Sequence, residues 1–228
     1  MALNASKVKG QVSKGPKAEP LEAGNYLARV VQILDLGIQE QRPFKGTEKP
    51  PAHEIMLTYE LGTEFMKDDD GNDDPTRPRW VGESFPLHNF KADLAKSTKR
   101  AKALDPSSKL EGNFAEMAGF PCTVTVVQRP DAKSPDIIYN NVANVTPAMK
   151  GVPVPELVNP PKVFDLDEPD LEVFGSLPEW IQEKIKSNLG YNGSLLQKML
   201  EGAVKQAPKE VPPEEPAPQD EEEEGNPY

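Results

Sequence analysis

With one cysteine and two histidines among 228 residues, the chain has little material for thiol or imidazole chemistry. Cys122 stands alone in an apolar run, so it can join neither a disulfide framework nor a thiolate metal cluster, and it reads as a small core residue. His53 and His88 read as structural or surface groups. Long hydrophobic runs are also missing: no window approaches the ~20 apolar residues of a membrane span. The N-terminus, with Lys7, Lys9, Lys14 and Lys17, lacks the apolar stretch of a signal peptide. These absences point to a soluble protein of a reducing, intracellular compartment. No phosphate-binding loop, nucleophile with its base, or paired carboxylates occurs at usable spacing, so the expectation is a non-enzyme without metal or cofactor. The acidic run Asp68 to Asp74 invites a calcium loop, but Met66 occupies the first ligand position, and a solvated hairpin is the simpler reading.

What the chain has in quantity is proline, 25 residues, and negative charge, −11 in all. That charge is segregated. Eight acids with two lysines lie between Lys205 and Tyr228, and six acids with one lysine between Glu64 and Asp74, so the remainder is neutral. Residues 1–20 mix Lys, Gly, Ser and Pro without hydrophobic period and read as a disordered basic arm, and residues 206–228 as a disordered acidic tail. If extended at ~3.1 Å per residue, the tail spans on the order of 70 Å.

Between the flanks the pattern is mainly β with added helices. Tyr26 to Leu36 is Val-, Ile- and Leu-rich and suits a first strand. In the second, His53, Ile55, Leu57, Tyr59 and Leu61 alternate with Glu54, Met56, Thr58 and Glu60, the signature of a half-buried strand. Arg79 to Phe85 makes the third. A helix follows, with Asn89 as N-cap, Phe90, Leu94, Ala101 and Leu104 inward, and Lys91, Lys96, Lys99, Arg100 and Lys102 in water. Cys122 to Gln128 and Ile137 to Val145 are the fourth and fifth strands, joined through Pro130, Asp131 and Pro135. Five strands with one helix between the third and fourth is the order of an OB-fold, a five-stranded Greek-key barrel, here over residues 21–150. Residues 151–205 begin proline-rich, running extended over the barrel, and continue as a helical hairpin. Its expected signals are the capping pairs Ser176/Glu179 and Ser194/Gln197 and an apolar stripe of Trp180, Ile181, Ile185 and Leu189. These helices dock on the barrel or bind a partner.

Binding single strands takes cations along the phosphate backbone and aromatic faces for the bases, at ~1–3 kcal/mol per stacked base. Arg42, Phe44, Lys45 and Lys49 gather in a Gly/Pro segment between the first two strands; Phe44 is the best aromatic candidate because its surroundings are loop-like. Around the third strand Arg77, Arg79, Trp80 and Lys91 interleave with rings, and the fourth-to-fifth turn adds Arg129 and Lys133. Core packing is the plain alternative for Trp80, Phe85 and Phe90, and a wet helix face for the lysines. In the tail, Glu221, Glu222, Glu223 and Glu224 followed by a final Tyr228 make a polyanion that could occupy a cationic groove until DNA displaces it.

The whole arrangement resembles phage replication single-stranded DNA-binding proteins, in which an OB barrel is followed by an acidic tail closed by an aromatic residue. The phrases Gly24-Asn-Tyr-Leu-Ala-Arg-Val-Val, Lys49-Pro-Pro-Ala-His-Glu and Leu177-Pro-Glu-Trp-Ile-Gln are similar to pieces of phage early-region proteins. The helical hairpin after Phe174 departs from the smallest members. The resemblance implies protection of transient single-stranded DNA in the host cytoplasm during replication, recombination or repair, with the tail recruiting phage or host replication proteins; a homo-oligomer is compatible with it. The competing reading is a phage adaptor or virion component whose barrel and Trp180 helix bind protein.

Overall fold

The computed structural model describes residues 19–206. Strands β1 (Gly24–Phe44) and β2 (Thr47–Lys67) form an antiparallel pair, and β3 (Asp73–Pro86) lies against the far edge of β2. The β1–β2 connection is two residues, Lys45 (φ 51°) and Gly46 (φ 79°), both in the left-handed region that a tight hairpin requires. On the other edge of β1, residues 24–29 pair with β4 (Pro121–Pro130), which pairs in turn with β5 (Ile138–Pro147). Above β4 on that same edge a short parallel strand, β6 (Lys162–Phe164), pairs with residues 32–34. The path is therefore β3-β2-β1-β4-β5, a mainly β architecture with β1 as its spine.

Two cores form because β1 is buried on both faces. A register shift between Val30 and Gln32 divides its inward side chains. Ala28 and Val30 pack with Leu57, Tyr59, Val81, Phe85, Val124 and Val126 in the first core, whereas Leu34 and Leu36 belong to the second. Helix α1 (Lys96–Leu104) and a 3-10 turn at Phe114–Met117 close the first core through Ala101, Leu104, Phe114 and Met117. Here Arg100 replaces a missing ladder between the outermost strands. Its guanidinium donates to Glu83 on β3 at 2.7 and 3.1 Å and to Asn144 Oδ1 on β5 at 3.3 Å. Tyr59 also donates its hydroxyl to Glu83, at 2.9 Å, and burial beside that carboxylate pushes the phenol well above its ordinary range.

Helices α2 (Leu171–Gly175), α3 (Glu179–Lys186) and α4 (Leu195–Gln206) bury Phe174, Ile181, Ile185 and Leu196 against Leu34, Leu36 and Phe164 on the outer face. Docking of these helices on the sheet is thus what the structure shows. The segment leading to them crosses the same face, clamped by two sheet residues. Arg29 donates to the carbonyls of Pro155 and Val154, and Glu60 accepts from the Val158 amide at 2.6 Å and Asn159 Nδ2 at 2.7 Å.

Several expectations are corrected. The Asn89 side chain accepts from the Lys91 amide and closes a turn, so the helix starts only at Lys96 and Leu94 is 87% exposed. Arg100 is buried rather than in water because Glu83, distant in sequence, is brought beneath it. The C-terminal hairpin is three helices; Ser176 ends α2 instead of capping α3, whose N-cap is Pro178, with no side-chain cap. Ser194 does accept from the Gln197 amide. Trp180 and Leu189 leave the buried stripe, and β6 was not expected.

Candidate nucleic-acid interface

Beyond the helices, β1 and β2 continue as a ribbon. Arg42, Lys45 and Lys49 are exposed at its tip, among Glu40 and Glu48. The side chain of Phe44 lies outside the described residues, as do Glu221, Glu222, Glu223, Glu224 and Tyr228. Pro50 and Pro51 fall between the pairs Gln41↔Lys49 and Gln39↔Ala52, where the register shifts and no partner amide is called for. The ribbon is anchored at its base by α3 and the segment after it. Gln39 Nε2 donates to the Lys184 carbonyl at 3.0 Å, the Leu189 amide donates to the Ile38 carbonyl at 2.9 Å, and Lys184 pairs with Glu54 at 3.4 Å. His53 Nε2 lies 2.6 Å from Asp35 Oδ1 at the same level.

The β4–β5 turn carries two cations and two acids, Asp131 and Asp136, and so has no net charge. Arg129 opposes Tyr139 in the ladder, Lys133 follows in the turn, and both cations are exposed beside Ile138 and Tyr139, 41% and 49% exposed. Since β4 runs antiparallel along the N-terminal half of β1, this tip and the β1–β2 tip lie beyond opposite ends of one strand.

The β2–β3 arginines are differently employed. Arg77 pairs with Asp74 at 2.6 Å and donates to the Lys67 carbonyl; together with the Thr76 hydroxyl it holds the Asp74 carboxyl below the usual carboxylate range. Arg79 donates to the Glu19 carbonyl at 2.6 Å in a cleft lined by the carboxylates of Glu19, Glu22, Glu64, Asp68 and Asp73, a setting that repels phosphate. Asp68 closes its own turn by accepting from the Asp70 and Asn72 amides. Lys91 is exposed in the turn before α1. The structure therefore does not gather the ten candidates into one groove. It leaves cations at two tips, of which only the β1–β2 tip has an excess of positive charge, two arginines engaged within the protein, Lys91 in the turn before α1, and Trp80 on the sheet.

Trp80 is 43% exposed, with its indole N–H donating to Glu60 at 3.0 Å. It shares the outer face of β3 with Gly82 and Ser84, opposite Glu60, Thr58 and Met56 on β2. Farther along this face a groove of about 350 Å³ runs between β3 and α3, lined by Leu36, Met56, Gly82, Ser84, Trp180 and Lys184, with the Glu83 backbone between Gly82 and Ser84. Trp180 is 60% exposed. Sequence reasoning assigned this indole to the docking stripe. The readable signal was the four-residue spacing of Ile181 and Ile185, which fills the buried face and turns Trp180, with Lys184 four residues on, away from it.

Among the described residues no three His, Cys, Asp or Glu side chains converge to hold a metal, and no helix is long and apolar enough to cross a membrane. No family model, curated protein or solved structure matches this chain.

Proposed function

We propose that this protein binds single-stranded DNA without sequence preference, as an OB-type barrel, protecting transient strands during phage DNA replication or recombination in the host cytoplasm. The observation that carries the reading is the strand path β3-β2-β1-β4-β5 with α1 stoppering the gap between its outermost strands. That order and helix position support an OB barrel, a fold whose β1–β2 and β4–β5 loops bind oligonucleotides. Both loops here carry exposed cations: Arg42, Lys45 and Lys49 on one, Arg129 and Lys133 on the other. The protein acts by holding its ligand, not by catalysis, and its acidic tail competes with DNA and recruits replication proteins.

Cation–phosphate contact has a direct readout. In titrations of a labelled ~30-mer dT oligonucleotide, three or four neutralised phosphates give a slope of log affinity on log salt of roughly −2 to −3. Replacing Arg42, Lys45 and Lys49 by Gln should flatten it. Affinity that does not change with salt would overturn the electrostatic assignment.

A second reading is favoured by exposed apolar side chains along the crossing segment and α3: Met149, Val158 and Trp180 are half-exposed or more. Such a surface suits an adaptor that binds protein. Retention on a polymerase or capsid partner, without any shift of oligonucleotide mobility, would support it.

A further inference from the structure

From the groove between β3 and α3 we infer that the C-terminal helices supply a wall of the DNA site, with one base stacked on Trp180 and its phosphate held beside Lys184. This rests on the reading of the protein as a single-strand binder and adds a surface that the barrel alone lacks.

Four features of the groove fit a nucleotide strand. The indole of Trp180 is 60% exposed although α3 has a buried face available, so it offers a free ring at the groove wall. The floor is small: Gly82 and Ser84 line it beside Met56, and a side chain at Gly82 would meet the Met56 methyl at 3.0 Å. The only carboxylate among the lining residues, Glu83, turns inward, where Arg100, Lys96 and Tyr59 neutralise and bond it. A phosphate therefore meets Lys184 without a lining carboxylate to repel it, apart from the 3.4 Å pairing of Lys184 with Glu54 at the groove's end.

The fourth feature is continuity. Lys184 sits on the base of the β1–β2 ribbon through Gln39 and Glu54. From Gln39 to the turn at Lys45 the strand rises about 20 Å at ~3.3 Å per residue. A polyanionic strand following Arg42, Lys45 and Lys49 toward the body reaches Lys184 and Trp180 next. Base stacking tolerates any sequence because every base has a π face, which suits a non-specific binder.

Trp80 and Trp180 are the two tryptophans of the chain, so Trp80→Phe leaves Trp180 as sole indole reporter. Saturating dT oligonucleotide should quench its emission. Trp180→Ala should weaken affinity about 5- to 150-fold, the range for one lost base stack, while Trp180→Phe restores most of it. Because the ring is exposed, an unchanged far-UV circular dichroism spectrum is expected for both variants. If the full-length protein binds the oligonucleotide but Trp180 emission is unmoved and Trp180→Ala binds normally, this inference is overturned while the binding function stands. If no variant binds, the function itself fails and the inference with it. Quenching by a peptide of residues 207–228, with none by DNA, would give the groove to the chain's own tail and likewise overturn the proposal.

Discussion

Glu83 takes four hydrogen-bond or ion-pair contacts, from Tyr59, Lys96 and twice from Arg100, and it is almost completely shielded from solvent. Removing one member of a buried pair strands the other, at a cost of about 3–5 kcal/mol. Arg100→Met should accordingly lower the urea-unfolding free energy by that much, whereas Lys96→Met, whose ammonium is exposed, should cost under about 1 kcal/mol. Equal losses would show that the cluster does not hinge on the guanidinium. Cys122 gives a second residue-scale test. Burial pushes its thiol up to about 12 from an ordinary value of 9.0, and Tyr59 is raised for the same reason. Acids whose folded-state values are raised stabilise the fold fully below their unfolded values and lose that contribution as pH rises toward the folded ones. The melting temperature should thus fall between about pH 9 and 12, and Cys122 should resist a disulfide reagent at pH 8 until the protein unfolds. Rapid reaction of native protein would contradict the burial. The burial of Cys122 was legible in its apolar run, but the Glu83 cluster was not, because Arg100 reads as one more exposed lysine-like charge until Glu83, 17 positions away, is brought beneath it.

At the scale of elements, strand identity was readable and strand length was not. Leu57, Tyr59 and Leu61 sit fully buried as their alternation implies, but β2 is not half-buried there: Thr58 and Glu60 are buried as well, Glu60 by the segment at Val158 and Asn159. The outer third of β1 and β2 carries Pro43, Pro50 and Pro51, which read as loop because proline lacks a ladder donor; the ribbon tolerates them where its register shifts. Gly37 was equally silent. It adopts φ +73°, and a Cβ there would lie 2.6 Å from Asn188 Cγ, in the segment between α3 and α4 that docks against the ribbon base. Gly37→Ala should destabilise by about 1–3 kcal/mol through overpacking added to backbone strain. Gly46→Ala, at φ +79° in open space, should lose less. Matching losses in urea melts would mean that Asn188 moves aside freely. Of the candidate site, the cations of the two tips could be found from composition around turns; Trp180 reads as part of the docking stripe because a tryptophan beside two isoleucines looks like core, although the four-residue spacing of Ile181 and Ile185 already turns it off that face.

For the whole molecule, the negative charge lies in one hairpin and the tail, leaving the rest neutral, with cations at both ends of β1. The proposed binding therefore rests on local cations at the two tips and on a stacking groove, not on a diffuse basic surface. In the proposed account the tail, on the order of 70 Å if extended, competes with DNA for those tips through its charge. The decisive measurement is the equilibrium affinity of the full-length protein and of a chain ending at Gln206 for a labelled ~30-mer dT oligonucleotide at several salt concentrations. Binding by both, tighter after truncation and most so at low salt, is the expected result. No binding by either would contradict single-strand recognition and leave the adaptor reading in its place.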